Sequence, residues 1–103
     1  MTSPTQLSLA KLRREGWTAQ VVETWNPHAR VRNDLFGIID VLAIKPGQVL
    51  GVQATSDSNV SARVNKIADA VLTPFVREAG IGIEVWGWTK KGARWVCRIV
   101  DVS

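Results

Sequence analysis

The chain has 103 residues, 46% of them hydrophobic and 21% charged, with a formal net charge of +4 and an isoelectric point near 9.8. That length allows one domain with a single modest core, that composition argues against general disorder, and no apolar run approaches the roughly 20 residues of a membrane span. A lone cysteine, Cys97, excludes an intramolecular disulfide and points away from a cysteine-based metal site.

Thr5 to Glu15 reads as a short helix. Leu7, Leu9 or Ala10, and Leu12 give it an apolar side, Ser3-Pro4 starts it and Gly16 stops it. The same segment lacks the basic-then-apolar order of a secretory signal, so a reducing, cytoplasmic setting is expected. Trp17 to Trp25, WTAQVVETW, is rich in strand formers, and NPHARVRND after it reads as a polar, basic loop opened by Asn-Pro. Two apolar runs then flank Pro46-Gly47, the strongest turn signal in the chain.

Asp57-Ser58-Asn59 is placed to cap a helix whose apolar stripe runs through Val60, Val64, Ile67, Val71, Leu72, Phe75 and Val76, with Arg63 and Lys66 off the stripe. Pro74 must kink or split that helix, and Gly80 ends it. IGIEVWGWT and RWVCRIVDV complete the chain as two strands in a hairpin about Lys90, Lys91 and Gly92. Trp86 and Trp88 share one strand face, either packing on the long helix or stacking on a base. The order α-β-β-β-α-β-β describes one α+β domain over residues 1–103 with a mixed or antiparallel sheet and helices on it.

One residue breaks the pattern. In FGIIDVLAIKPGQVLGVQATS, Asp40 lies in an apolar strand, where a carboxylate costs several kcal/mol unless it is paired or holds a metal. With Pro46 and Gly47 at the centre of the turn, Lys45 faces Gln48, Val41 faces Val52, Ile38 faces Thr55 and Asp40 faces Gln53. Either Asp40 and Gln53 satisfy each other as a buried polar pair, or they belong to a site. The eight arginines and five lysines favour a polyanionic partner, and five tryptophans suit either a core or base stacking. His28, the only histidine, reads as an exposed turn residue.

Gly37-Ile38-Ile39-Asp40, then twelve residues, then Gln53-Ala54-Thr55, framed by an early helix and a following one, resembles the PD-(D/E)XK nuclease superfamily. The nearest likenesses are small Holliday-junction resolvases and Mrr-type restriction nucleases. The resemblance covers nearly the whole chain and implies a restriction-endonuclease-like domain with an α-β-β-β-α-β core, a central mixed sheet and flanking helices. It implies metal-dependent hydrolysis of DNA, with Mg2+ or Mn2+ held by Asp40, Gln53 and the Ala54 carbonyl; Asp34, just before the second strand, is within sequence reach to add a carboxylate to this set, or is a turn residue. Asp40, Gln53, Thr55 and Lys66 are the implied catalytic positions, and Glu23, late in the first strand, is within sequence reach to join them or is a surface carboxylate. Thr55 stands where the family has its lysine, and Lys66 on the next helix can replace it, as other members relocate that residue. Gln6 stands roughly where resolvases carry a glutamate on the first helix. Arg30, Arg32, Arg63, Lys90 and Lys91 are the expected contacts to duplex or branched DNA. A two-fold homodimer is the simplest way for so small a domain to cut both strands. The departures at Gln53 and Thr55 keep two other readings open: a nuclease-fold DNA-binding module without chemistry, and a protein-interaction module.

Overall fold

In the computed structural model, which describes residues 2–103, the first helix, α1 (Pro4–Arg14), starts where its residues allow it to. The Ser3 hydroxyl accepts from the Gln6 N–H at 3.2 Å, and Pro4 sits in the first turn, where a missing N–H is harmless. Lys11, Arg13 and Arg14 fill the last turn, at the negative end of the helix dipole.

The expected strand over Trp17–Trp25 is two strands. β1 (Thr18–Val21) joins the main sheet, whereas β2 (Thr24–Asn26) leaves it and pairs antiparallel with β3 (Val31–Asn33). The segment expected as a loop is therefore mostly a small ribbon. Asn26 makes it possible: its side-chain oxygen accepts from the N–H groups of His28 at 3.0 Å and Ala29 at 3.2 Å, closing the turn locally.

β4 (Val41–Lys45) and β5 (Gln48–Ser56) pair in the expected register, from Lys45 opposite Gln48 to Val41 opposite Val52. Gly47 takes φ 72°, the value a type II turn requires after Pro46. One residue further the register fails. The Asp40 N–H donates to the Val52 carbonyl at 2.9 Å, so Asp40 and Val41 both stand against Val52 in a one-residue bulge. Asp40 and Gln53 are thus not a facing pair, and neither are Ile38 and Thr55.

A 3-10 turn (Asp57–Asn59) leads into α2 (Val60–Asp69), and α3 (Thr73–Glu78) follows a break. The expected cap is not made: Asp57 accepts from Arg98 at 2.8 Å and Asn59 donates to Ser56 at 3.0 Å, so neither side chain reaches the helix N–H groups. Pro74 splits the long helix as expected, with the Thr73 hydroxyl donating to the Ile67 carbonyl at 2.6 Å across the break. The split re-aims the second half. Ile67 and Val76 are buried, whereas Val71, Leu72 and Phe75 face outward, so the apolar stripe is interrupted.

β6 (Gly82–Lys91) and β7 (Arg94–Asp101) form the expected hairpin, and β6 runs parallel to β5. The result is an α+β fold whose mixed five-stranded sheet has the order β1-β4-β5-β6-β7. α1 packs Leu12 on one face over Val41, Val52, Trp86 and Trp88, and α2 with α3 packs Val60, Ile67 and Val76 on the other over Ile39, Ile83 and Val85. No helix among the described residues is long and apolar enough to cross a membrane.

The two tryptophans pack under α1 and not under the long helix. The Trp88 indole N–H donates to the buried Ser8 hydroxyl of α1 at 2.9 Å, and that of Trp86 donates to Glu84 at 2.9 Å. Gly87 between them explains the choice of face. It turns toward the start of α2, where an added Cβ would collide with Val60 and lie 3.1 Å from the Asp57 Cα. Gly87→Ala is expected to cost about 2 kcal/mol through this overpacking, read as a lower urea midpoint at unchanged slope. An unchanged midpoint would mean that α2 docks more loosely than these contacts indicate.

Candidate acid pocket at the sheet bulge

β5 outruns β4, and the bulge at Asp40 opens the space beside its free end. Val52 turns its carbonyl toward the β4 side, where Asp40 meets it. By the two-residue repeat of a strand, Ala54 turns its N–H and carbonyl the same way. Its N–H donates to the Asp40 carboxylate at 2.9 Å, which holds that side chain over the gap.

The second acid arrives by a tight loop. Leu35 and Ile39 form an isolated bridge, closed by the Leu35 N–H to the Ile39 carbonyl at 2.9 Å, and Gly37 donates to the Asp34 carbonyl at 2.9 Å. Phe36 at φ 56° and Gly37 at φ 78° make the reversal, and buried Ile38 and Ile39 pin it to the core. Asp34 and Asp40, at the two ends of this loop, are folded back on each other. Glu23 comes from the kink between β1 and β2, fixed by the Val22 N–H donating to the Asp40 carbonyl at 2.8 Å. Carboxylate oxygens of Glu23, Asp34 and Asp40 all lie within 4.8 Å of one another, and these are the side chains that could hold a divalent cation.

α2 supplies the cationic wall. Lys66 donates to Asp34 at 3.1 Å and to the Gln53 side-chain oxygen at 3.2 Å, while Arg63 reaches that oxygen at 3.4 Å. The Gln53 amide, fully buried, donates in turn to Asp34 at 3.3 Å. Gln53 therefore orients Asp34 and Lys66 and does not pair with Asp40. Arg32 on β3 donates to Glu23 at 3.1 Å. The open pocket among these groups has a volume of about 460 Å³, and Thr55, Ser56 and Asn59 complete its wall.

Burial and the hydrogen bond shared with Asp34 push the Asp40 carboxyl up to about 7, against the lowering pull of the Ala54 N–H. The charges of Asp34 and Glu23 add to the rise. Burial also pushes Asp34 up, but hydrogen bonds from Asp40, Lys66 and Gln53 outweigh it and hold Asp34 below its ordinary value. The pair splits its roles accordingly: Asp40 keeps the proton that Asp34 gives up.

The structure thus gathers Glu23, Asp34, Asp40, Gln53, Ala54, Thr55, Arg63 and Lys66, from five separate segments, around one gap. Arg32 borders it, and Arg30 lies exposed at the ribbon turn with His28. Lys90 and Lys91 stay outside, exposed on the β6–β7 hairpin. Gln6 lines a neighbouring pocket and not the acid cluster. The sequence reading passed over Trp25, which is 58% exposed on the ribbon. Its only signal was a large aromatic directly before the polar Asn-Pro segment. Comparison with protein-family models, with curated proteins and with solved structures finds no match to this chain.

Proposed function

We propose that the protein is a divalent-metal-dependent DNA endonuclease of the PD-(D/E)XK type, with a restriction-endonuclease-like arrangement of its sheet and helices. The observation that carries this reading is the convergence of three carboxylates and Lys66 on one open pocket at the Asp40 bulge. The donor set suits a hard cation, because magnesium and manganese take oxygen ligands from carboxylates and carbonyls. Burial first, and the neighbouring Asp34 and Glu23 after it, raise the Asp40 carboxyl, and a bound cation offsets both. Asp40, Asp34, Glu23 and the Ala54 carbonyl are its proposed ligands. When bound, Mg2+ or Mn2+ supplies polarisation of the scissile phosphate and a more acidic water.

The protein's own groups do the rest. Lys66 takes the position of the missing motif lysine, with Gln53 steering its ammonium toward the pocket, so that it can stabilise charge building on the phosphate. Arg63 and Arg32 flank the pocket as phosphate contacts. A homodimer would bring two such pockets to the two strands of a duplex or junction.

The test is incubation with supercoiled plasmid, linear duplex and a labelled four-way junction in magnesium, manganese or EDTA. Cutting that requires metal is the expected result, and the preferred substrate names the subclass. The absence of cutting on every substrate overturns the enzyme. A second reading, a DNA-binding module without chemistry, draws on Thr55 in the lysine position and on Gln53 where a carboxylate would bind metal more strongly. It is recognised by salt-dependent gel shifts in samples that do not cut.

A further inference from the structure

Beside the acid pocket lies a second one of about 460 Å³, between the start of α1 and the β2–β3 ribbon. The two pockets share Thr5, Glu23 and Arg32. Trp25 forms part of the second wall and is 58% exposed, unlike Trp86 and Trp88, whose rings are buried under α1. Its partner across the ribbon is Arg32, so indole and guanidinium stand on the same ribbon face. Ser3, Thr5 and Gln6 supply polar groups opposite them.

We propose that this pocket takes an unpaired nucleobase, stacked on Trp25, from the same strand whose phosphate occupies the acid pocket. The chemistry of the wall names the ligand. An indole face beside a guanidinium is a stacking platform for any base, and the polar rim can meet base edges without selecting one sequence. Arg32, exposed but paired with Glu23 at 3.1 Å, can turn to a phosphate, and Arg30 at the ribbon turn outside the pocket adds positive charge for a polyanionic strand. A base inside a duplex has both faces covered by its neighbours and cannot reach Trp25. The substrate class that follows is DNA with unpaired nucleotides at the cut: an overhang, a flap or an opened junction. This rests on the nuclease reading of the adjoining acid pocket.

The experiment measures binding in EDTA, where no cutting can intervene, by fluorescence anisotropy. The probes are a labelled short oligothymidylate and a blunt duplex of the same length, offered to the wild type, Trp25→Ala and Trp25→Phe. Trp25 lies outside both core clusters, so both variants are expected to keep the wild-type melting temperature. Trp25→Ala should weaken oligothymidylate binding about tenfold and leave duplex binding within about twofold, while Trp25→Phe keeps most of the affinity. Equal losses on both probes, or no loss on either, would overturn the stacking site while leaving the nuclease reading intact. A wild type that binds neither probe and cuts no substrate in magnesium would overturn the two together, and a plasmid cut in magnesium by a protein indifferent to Trp25 would overturn the stacking site alone.

Discussion

Asp40→Asn is expected to abolish metal-dependent cutting and, in metal-free buffer above pH 7, to make the protein more stable than the wild type. The first effect follows from removing the carboxylate on which the proposed ligand set is centred. The second follows from proton linkage. The folded protein holds the Asp40 carboxyl at about 7 against an ordinary 3.8, so between those values the native state binds a proton that the unfolded chain has released. Stability therefore falls as the pH rises through that window and levels off above it. A shift of that size corresponds to at most about 4 kcal/mol. Asp34 acts in the opposite sense and below the window, since its lowered carboxyl stabilises the fold until acid protonates it. The substituted amide can still accept from the Ala54 N–H and can donate to Asp34, so packing is preserved while one buried charge is gone. Urea denaturation in EDTA at several pH values checks this. Parallel wild-type and variant profiles would show that Asp40 is not strained by its neighbours, and the case for a cation-ready cluster would fall with it.

What could be read from the sequence divides by the range of the interaction. The Pro46-Gly47 turn fixes the pairing of Lys45 with Gln48 and of Val41 with Val52, because turn geometry and strand period are local rules. Pro74 splits its helix for an equally local reason. The rules fail where a single backbone bond changes partner. The bulge at Asp40 is invisible to alternation, yet it turns an expected Asp–Gln pair into a gap with three acids and an amide around it. Asp34 reaches that gap only through the left-handed turn at Phe36 and Gly37, a conformation that Phe36 itself gives no reason to expect. The ribbon was hidden because Asn26, a turn former by type, acts here by closing a hairpin on Trp25 and Arg32. The face chosen by Trp86 and Trp88 was legible in part: alternation puts them together, but only the contact of Gly87 with α2 decides which helix they meet. Candidate residues could thus be grouped only through a resemblance to a family pattern, and the bonds that join them could not be read from the sequence.

Lys66→Met should reduce cutting by about 10²–10³-fold and move the acid limb of the pH–rate profile upward, while DNA binding changes little. Two roles meet in this side chain. Its ammonium is positioned by Gln53 at 3.2 Å and by Asp34 at 3.1 Å, at the mouth of the pocket where a phosphate would arrive. It is also one of the groups that hold Asp34 below its ordinary value, through a hydrogen bond and through its charge. Removing it takes away two of the influences that lower Asp34 and leaves only the hydrogen bonds from Asp40 and Gln53 against burial, so the cluster protonates at a higher pH and activity is lost sooner on the acid side. Lys66→Arg, which keeps the charge but not the compact ammonium, should restore the acid limb more fully than the rate. Single-turnover rates across pH for the wild type and both variants separate the roles. A fall in rate with an unmoved acid limb would leave Lys66 touching the phosphate but not tuning Asp34. An unchanged rate would hand the missing lysine's role to Arg63, the other cation that α2 turns toward Gln53.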